Sequence, residues 1–188
     1  MRRLKQIAAI LTAIIGVVVL TDHVYALTYQ DSDGATLTFT YNSTLTMSVG
    51  DSVSISVAPG QQATSSVFNV KVATNCKSGY KLTATMGDGS TYTNANLTGT
   101  NGSFSPVTAG NALSAGYWGY KTSSSATTYN PIAYRTATAT TIATSSTPTD
   151  GTSTGVTTMY FGAYAASTQA AGNYTNVINF SAVANAAN

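Results

Sequence analysis

Tyr160 to Asn185 reads YFGAYAASTQAAGNYTNVINFSAVAN. Two runs alternate apolar with small polar residues, and a short Ala/Gly/Ser/Thr/Gln segment joins them. Alternation at a period of two marks a strand with one face on a core and one on water. Val156 to Tyr164 is expected as one strand, with Met159, Phe161 and Ala163 on one face. Tyr174 to Asn185 is expected as the next. Ile178, Phe180, Ala182 and Ala184 share one of its faces; Thr175, Val177, Asn179, Ser181 and Val183 share the other. If the two pair across QAAGNY, they form a long closing hairpin. The stretch holds no Lys, Arg, Asp, Glu or His, so its work reads as structural.

The same rhythm runs upstream. Leu37, Phe39 and Tyr41 alternate with threonines; Leu45, Met47 and Val49 follow; then Val53, Ile55 and Val57 alternate with serines. Phe68, Val70 and Val72 form a further set, and Tyr80, Leu82, Ala84 and Met86 another. Turn signals separate them: Gly50-Asp51, Pro59-Gly60, Ser78-Gly79 and Gly87-Asp88-Gly89. Short strands at this spacing, with no helical period, indicate an antiparallel sandwich. Between Asn94 and Thr154 the pattern loosens, punctuated by Pro106, Pro131 and Pro148. Only LSAGYWGYK, Leu113 to Lys121, is expected as a strand there, around Trp118. TTIATSSTPTDGTSTG reads as a flexible loop.

The N-terminus has another character. MRRLKQ is basic, IAAILTAIIGVVVL is an apolar core of 14 residues, and TDHVYA puts Val24 and Ala26 at −3 and −1 of a cleavage site. This reads as a secretory signal peptide, residues 1–26, expected to precede a single domain, 27–188. The apolar core is short for a membrane span, which needs roughly 20 residues. Membrane attachment is expected only if this segment stays uncleaved. No Cys follows the cleavage site and no Leu-Pro-x-Thr-Gly sorting signal is present, so no covalent anchor is expected.

Cleavage removes His23, the sole histidine, along with three of the eight cations. It leaves Lys71, Lys77, Lys81, Lys121 and Arg135 against Asp31, Asp33, Asp51, Asp88 and Asp150, with no Glu. A near-neutral chain has no basic surface for phosphates, so nucleic acid is excluded as a partner. Without imidazole, Ser–His–Asp and Cys–His catalysis and the usual zinc sites are excluded. Paired-carboxylate hydrolysis would have to use two of the five Asp. Asp31, Asp33 and Gly34 in QDSDGA lack the further ligands and late Glu of a calcium loop and read as a polar turn. GDGST at Gly87 to Thr91 reads as a tight hairpin turn. No cofactor or metal site is assigned. Cys76 has no partner for an internal disulfide. It reads as a small, half-buried residue at a strand end, or as an intermolecular bridge.

GYWGYK, Gly116 to Lys121, supplies the one candidate recognition site. Alternation places Tyr117 and Gly119 on one face and Trp118 and Tyr120 on the other. Two readings stand: Trp118 anchors the core, or Tyr117, Trp118 and Tyr120 form an aromatic ligand surface for glycan or peptide. Asn42, Asn96, Asn101 and Asn173 match the N-glycosylation pattern, as Ser/Thr/Asn-rich chains do by chance.

SGYKL (Ser78 to Leu82), YWGYK (Tyr117 to Lys121), YFGAYA (Tyr160 to Ala165) and AAGNYTNVINFSAVAN (Ala170 to Asn185) occur in that order. Over residues 65–188 the chain resembles a family of small exported β-sandwich surface proteins of Saccharibacteria and related ultra-small bacteria. It departs from that pattern after Tyr120, where a second Trp is often found and this chain has Tyr129 and Tyr134. A weaker likeness is to pilin subunits of the chaperone–usher and spore-coat-U type, which end in a similar strand and carry a disulfide that Cys76 alone cannot supply. The resemblance implies a surface location and an Ig-like or pilin-like sandwich. The pilin likeness implies strand exchange between subunits, with Leu27 to Tyr41 as a donor.

The expectation is an all-β, antiparallel sandwich after an N-terminal signal helix, secreted or at the cell surface. It has an adhesive or envelope-structural, non-enzymatic role toward a cell-surface glycan or protein, or toward itself. The alternatives are a fibre subunit assembled by donor-strand exchange and an exported Asp-dependent hydrolase.

Overall fold

The computed structural model describes residues 42–186. The leader, His23, the Asp31–Gly34 turn and the Leu37–Tyr41 strand lie outside these residues. The described chain forms β1 (Leu45–Val49), β2 (Gln62–Thr64), β3 (Phe68–Thr74), β4 (Tyr80–Met86), β5 (Leu97–Gly99) and β6 (Gly102–Pro106). It continues with β7 (Tyr117–Lys121), β8 (Thr140–Ser145), β9 (Thr149–Asp150), β10 (Val156–Tyr164) and β11 (Ile178–Ala184). No helix occurs among the described residues.

Two sheets share one core. The larger runs β1-β3-β10-β7-β6-β5, with β2 also on β10 and β9 on β3; the smaller runs β11-β4-β8. The period-two rhythm places the side chains as read. Val70 and Val72 of β3 face Leu82 and Met86 of β4 in one cluster with Trp118, Met159 and Phe161. Phe68 stacks on Phe180 of the other sheet at 6.0 Å and meets Phe161 edge-on at 5.8 Å. The Ser78-Gly79 turn carries the chain from β3 to β4 and thus between sheets, with the Gly79 amide donating to Cys76 O. No buried side-chain nitrogen or oxygen among the described residues lacks a hydrogen-bond partner.

The fold corrects the sequence reading in five places, besides the short strands β2, β5 and β6 that were not expected. The closing hairpin does not form: β10 has β3 and β2 along one edge and β7 on the other over Tyr160–Tyr164, the half that a hairpin through the following turn would need. Instead β11 pairs with β4 along its full length, in the other sheet. The expected loop at residues 140–155 contains β8, an edge strand of the smaller sheet, because Ile142 and Ala143 pack on the core. Pairing is not wholly antiparallel, since β6 and β7 run parallel at Ser105↔Tyr117 and Pro106↔Trp118. GDGST is a tight turn but no hairpin, because β4 has β11 and β8 as neighbours.

The fifth difference concerns Val53, Ile55 and Val57. They alternate inward as expected and touch the core, yet residues 52–57 join no ladder. Continuing β1 would lay them beside residues 62–67, where the chain is irregular. Between Thr64↔Gly162 and Phe68↔Met159 the β2–β3 arm carries one extra residue. The Ser65 hydroxyl there accepts the Phe161 amide in place of a carbonyl, at 3.0 Å. Such a bulge bends its strand and ends regular pairing. The segment returns to the sheet through Pro59-Gly60, with Gly60 at φ 69° and Gln61 N donating to Ala58 O.

Candidate contact surface on strand β7

Strand β7 lies between β10 and β6, and its alternation divides the three aromatics. Trp118 (2% exposed) and Tyr120 (5%) enter the core; Tyr117 (39%) stays at the surface. The Trp118 indole donates to Ala95 O at 3.0 Å, which satisfies its one polar atom inside the apolar cluster. Burial pushes the Tyr120 hydroxyl above its usual range. Of the three expected aromatics, Tyr117 is thus the one exposed at the surface, and the other two are buried beneath the strand.

Gly119, on the face opposite Trp118, has a separate role. It pairs directly with Gly162 of β10, and Tyr129 lies over both, its ring against Gly162 and its Cβ against Gly119. A Cβ on Gly162 would stand 2.5 Å from that ring; one on Gly119 would stand 2.7 Å from Val107 and 3.0 Å from Tyr129. Tyr129 is pinned at its far end, where its hydroxyl contacts Thr64 Oγ1 at 2.9 Å and accepts from Gln62 Nε2 at 3.2 Å. The Lys121 ammonium sits 5.1 Å from the ring centroid and donates to the Ser124 and Ala126 carbonyls. With Val107, Leu113 and Tyr164, Tyr129 makes a second small core on the outer side of the larger sheet. The signal in the sequence was the matched glycines of YWGYK and YFGAY, each flanked by tyrosine.

Several of the groups capable of chemistry are engaged in local contacts. Asp88 Oδ1 accepts the Ser90 and Tyr92 amides, which lowers its pKa. Asp150 is lowered further, first by the Ser153 hydroxyl and then by the Thr152 and Thr154 amides. Arg135 donates to the Asp88 carbonyl, and Cys76 Sγ, buried at the end of β3, to Asn185 O at 3.1 Å. Among the described residues no group of three or more His, Cys, Asp or Glu comes together.

A cleft of about 710 Å³ opens where residues 53–57 face the chain that enters β11. Its apolar lining includes Val53, Ile55, Val57, Phe104, Tyr174 and Ile178. Its nearby amides are engaged internally: Asn176 donates to Asn94 O and Asn96 O, and Gln169 to the Tyr174 hydroxyl. Compared with known proteins, the chain matches no family model, no curated protein and no solved structure.

Proposed function

We propose that this is an exported, surface-associated β-sandwich protein, Ig-like or pilin-like behind its signal segment, whose adhesive or envelope-structural role rests on contact rather than catalysis. One observation carries the reading: the side-chain oxygens of Asp88 and Asp150 are taken up by the amides and hydroxyls of their own turns. A carboxylate stabilised in this way is a weak base and a poor proton donor near neutral pH. The exposed surface is rich in Ser, Thr and Asn, and Tyr117, Val67 and Val183 stand out from it. Tyrosine suits such a surface, because a ring with one hydroxyl contacts sugar or peptide at low entropic cost. A glycan and cell-surface binding screen tests this, with Tyr117→Ala as the first variant. Loss of binding with unchanged stability is expected; turnover of a substrate dependent on Asp88 or Asp150 would overturn the reading.

A second reading, a subunit that polymerises by strand exchange with residues 27–41 as donor, draws support from the free edges of β1 and β11. Size-exclusion chromatography of the chain with and without residues 27–41 tests it. A monomer in both cases would remove it.

A further inference from the structure

The edges of the two sheets are not equally guarded. β5 is three residues long and bridges to Thr175, and β8 pairs through a register break and is followed by Pro148. Shortness, bulges, charge and proline are the usual protections of an edge. β11 has none of these. INFSAVA contains no charge and no proline, and it pairs with β4 over all seven residues without a break. Both its ends are held: Val177 O accepts the Gly87 amide, and the Asn185 amide donates to Gly79 O.

These contacts fix which backbone groups of β11 stay free. In an antiparallel ladder the N–H and C=O of one residue point the same way, and those of its neighbours point oppositely. Val177, Ser181 and Asn185 aim at β4, with the Thr83 hydroxyl donating to the Ser181 carbonyl at 3.3 Å. Ile178, Phe180, Ala182 and Ala184 therefore aim away from β4, and their backbone groups have no partner among the described residues. β1 of the other sheet comes within 8 Å of β11 between Cα atoms, yet no ladder joins the two.

This edge is complementary to itself. Lay two copies of β11 antiparallel about a two-fold axis at Ser181. Ile178 then stands opposite Ala184 of the second copy, Phe180 opposite its Ala182, and Asn179 opposite its Val183. Every residue with a free N–H and C=O meets another such residue, along the whole strand. An axis at Phe180 or at Ala182 would instead set one end against Asn176 or Ala186, outside the strand. Directly opposed residues share a face. On the inner face, where Ile178, Phe180 and Ala182 are only partly buried, each large side chain meets a small one and gains cover without a clash. On the outer face Ser181 meets Ser181, and neither copy's β11 brings a charge to the seam.

We propose that β11 is a self-association edge: two copies of this chain pair along it, antiparallel and two-fold about Ser181, and join their smaller sheets into one. Main-chain hydrogen bonds supply the attraction. The contact is isologous, so it closes at two chains. It needs neither a glycan nor an exchanged strand. The test is a cysteine in the full chain carrying Cys76→Ala. Ser181→Cys should oxidise to a disulfide-linked dimer, because opposed residues of a non-hydrogen-bonded pair have Cα atoms about 4.5 Å apart, within disulfide reach. Val183→Cys should not, since the two copies of that residue lie roughly 14 Å apart along the strands. Equal linking at both positions, or linking at neither, would overturn the proposal. Sedimentation checks it without a disulfide. The unmodified chain should show a monomer–dimer equilibrium, and Ser181→Lys, which sets two ammonium groups face to face, should sediment as a monomer. Ser181 is exposed, so the unfolding midpoint of that variant should match the parent's monomer. A parent that stays monomeric at every concentration, a parent that grows past two chains as strand exchange would, or a Ser181→Lys chain that still dimerises would each overturn it. A blank glycan screen, which would sink the adhesive role, leaves these outcomes unchanged.

Discussion

The β7–β10 flank and the β1–β11 flank are written in the same alternating code, and they pack to different degrees. At β7–β10, Trp118, Met159 and Phe161 are buried on the inner face, while Tyr129 seals the outer face over Gly119 and Gly162. At β1–β11, the inward residues are half-covered, and Ile55 approaches from a segment without a ladder. Alternation supplies an apolar face in both. Closure at β7–β10 requires a further piece, a loop that returns across the sheet with a ring at its tip. A period of two chooses the face of a strand; what covers that face is decided by other parts of the chain.

Substitutions on the two flanks should therefore differ in cost, measured by denaturant unfolding. Tyr129→Ala removes a fully buried ring and its hydroxyl contacts and should cost about 3–5 kcal/mol, the range for large aromatic truncations. Gly162→Ala drives a methyl into that ring and should cost about 1–3 kcal/mol. In a Tyr129→Ala background the same alanine should cost much less, because the atom it strikes is gone. Equal costs in both backgrounds would mean that Tyr129 is not what requires the glycine. Ile55→Ala, on the open flank, should cost about 1 kcal/mol, below the range for a fully buried isoleucine. A cost matching Tyr129→Ala would erase the contrast between the flanks. Tyr117→Ala should stay within about 0.5 kcal/mol of the parent, as exposed positions do.

The smallest effect concerns the 150–154 turn, and it is a pH effect. Asp150 has a lowered pKa in the folded chain, so its contribution is present above the unfolded carboxyl value. It is lost as pH falls through the folded value. Asp150→Asn should therefore be less stable than the parent near neutral pH, and the gap should begin to narrow once the pH falls below the ordinary carboxyl value. A gap that closes on raising the pH would reverse the sign.

Much of the fold was readable. The strands at Leu45–Val49, Phe68–Thr74, Tyr80–Met86 and Val156–Tyr164 occur where alternation put them, with the expected residues inward except Met47, which is exposed. Residues 140–145 were not readable, because threonine and serine suit exposed strands and loops alike. Pairing with β4 and contact of Ile142 and Ala143 with the core make that segment a strand. The candidate site was legible in part. YWGYK announced its alternation, but which face met solvent depended on where β10 and the Tyr129 loop came to rest.

Local chemistry, acting between near neighbours, determined from the sequence alone that this chain would be built of strands, where β1, β3, β4 and β10 lie, and which side chains on each share a face. The tertiary structure alone decided which strands pair, that β10 and β11 part into different sheets, and that Trp118 goes in while Tyr117 stays out. Those outcomes turn on how many edges a strand has free and on space beside a glycine, quantities set by residues distant in the chain.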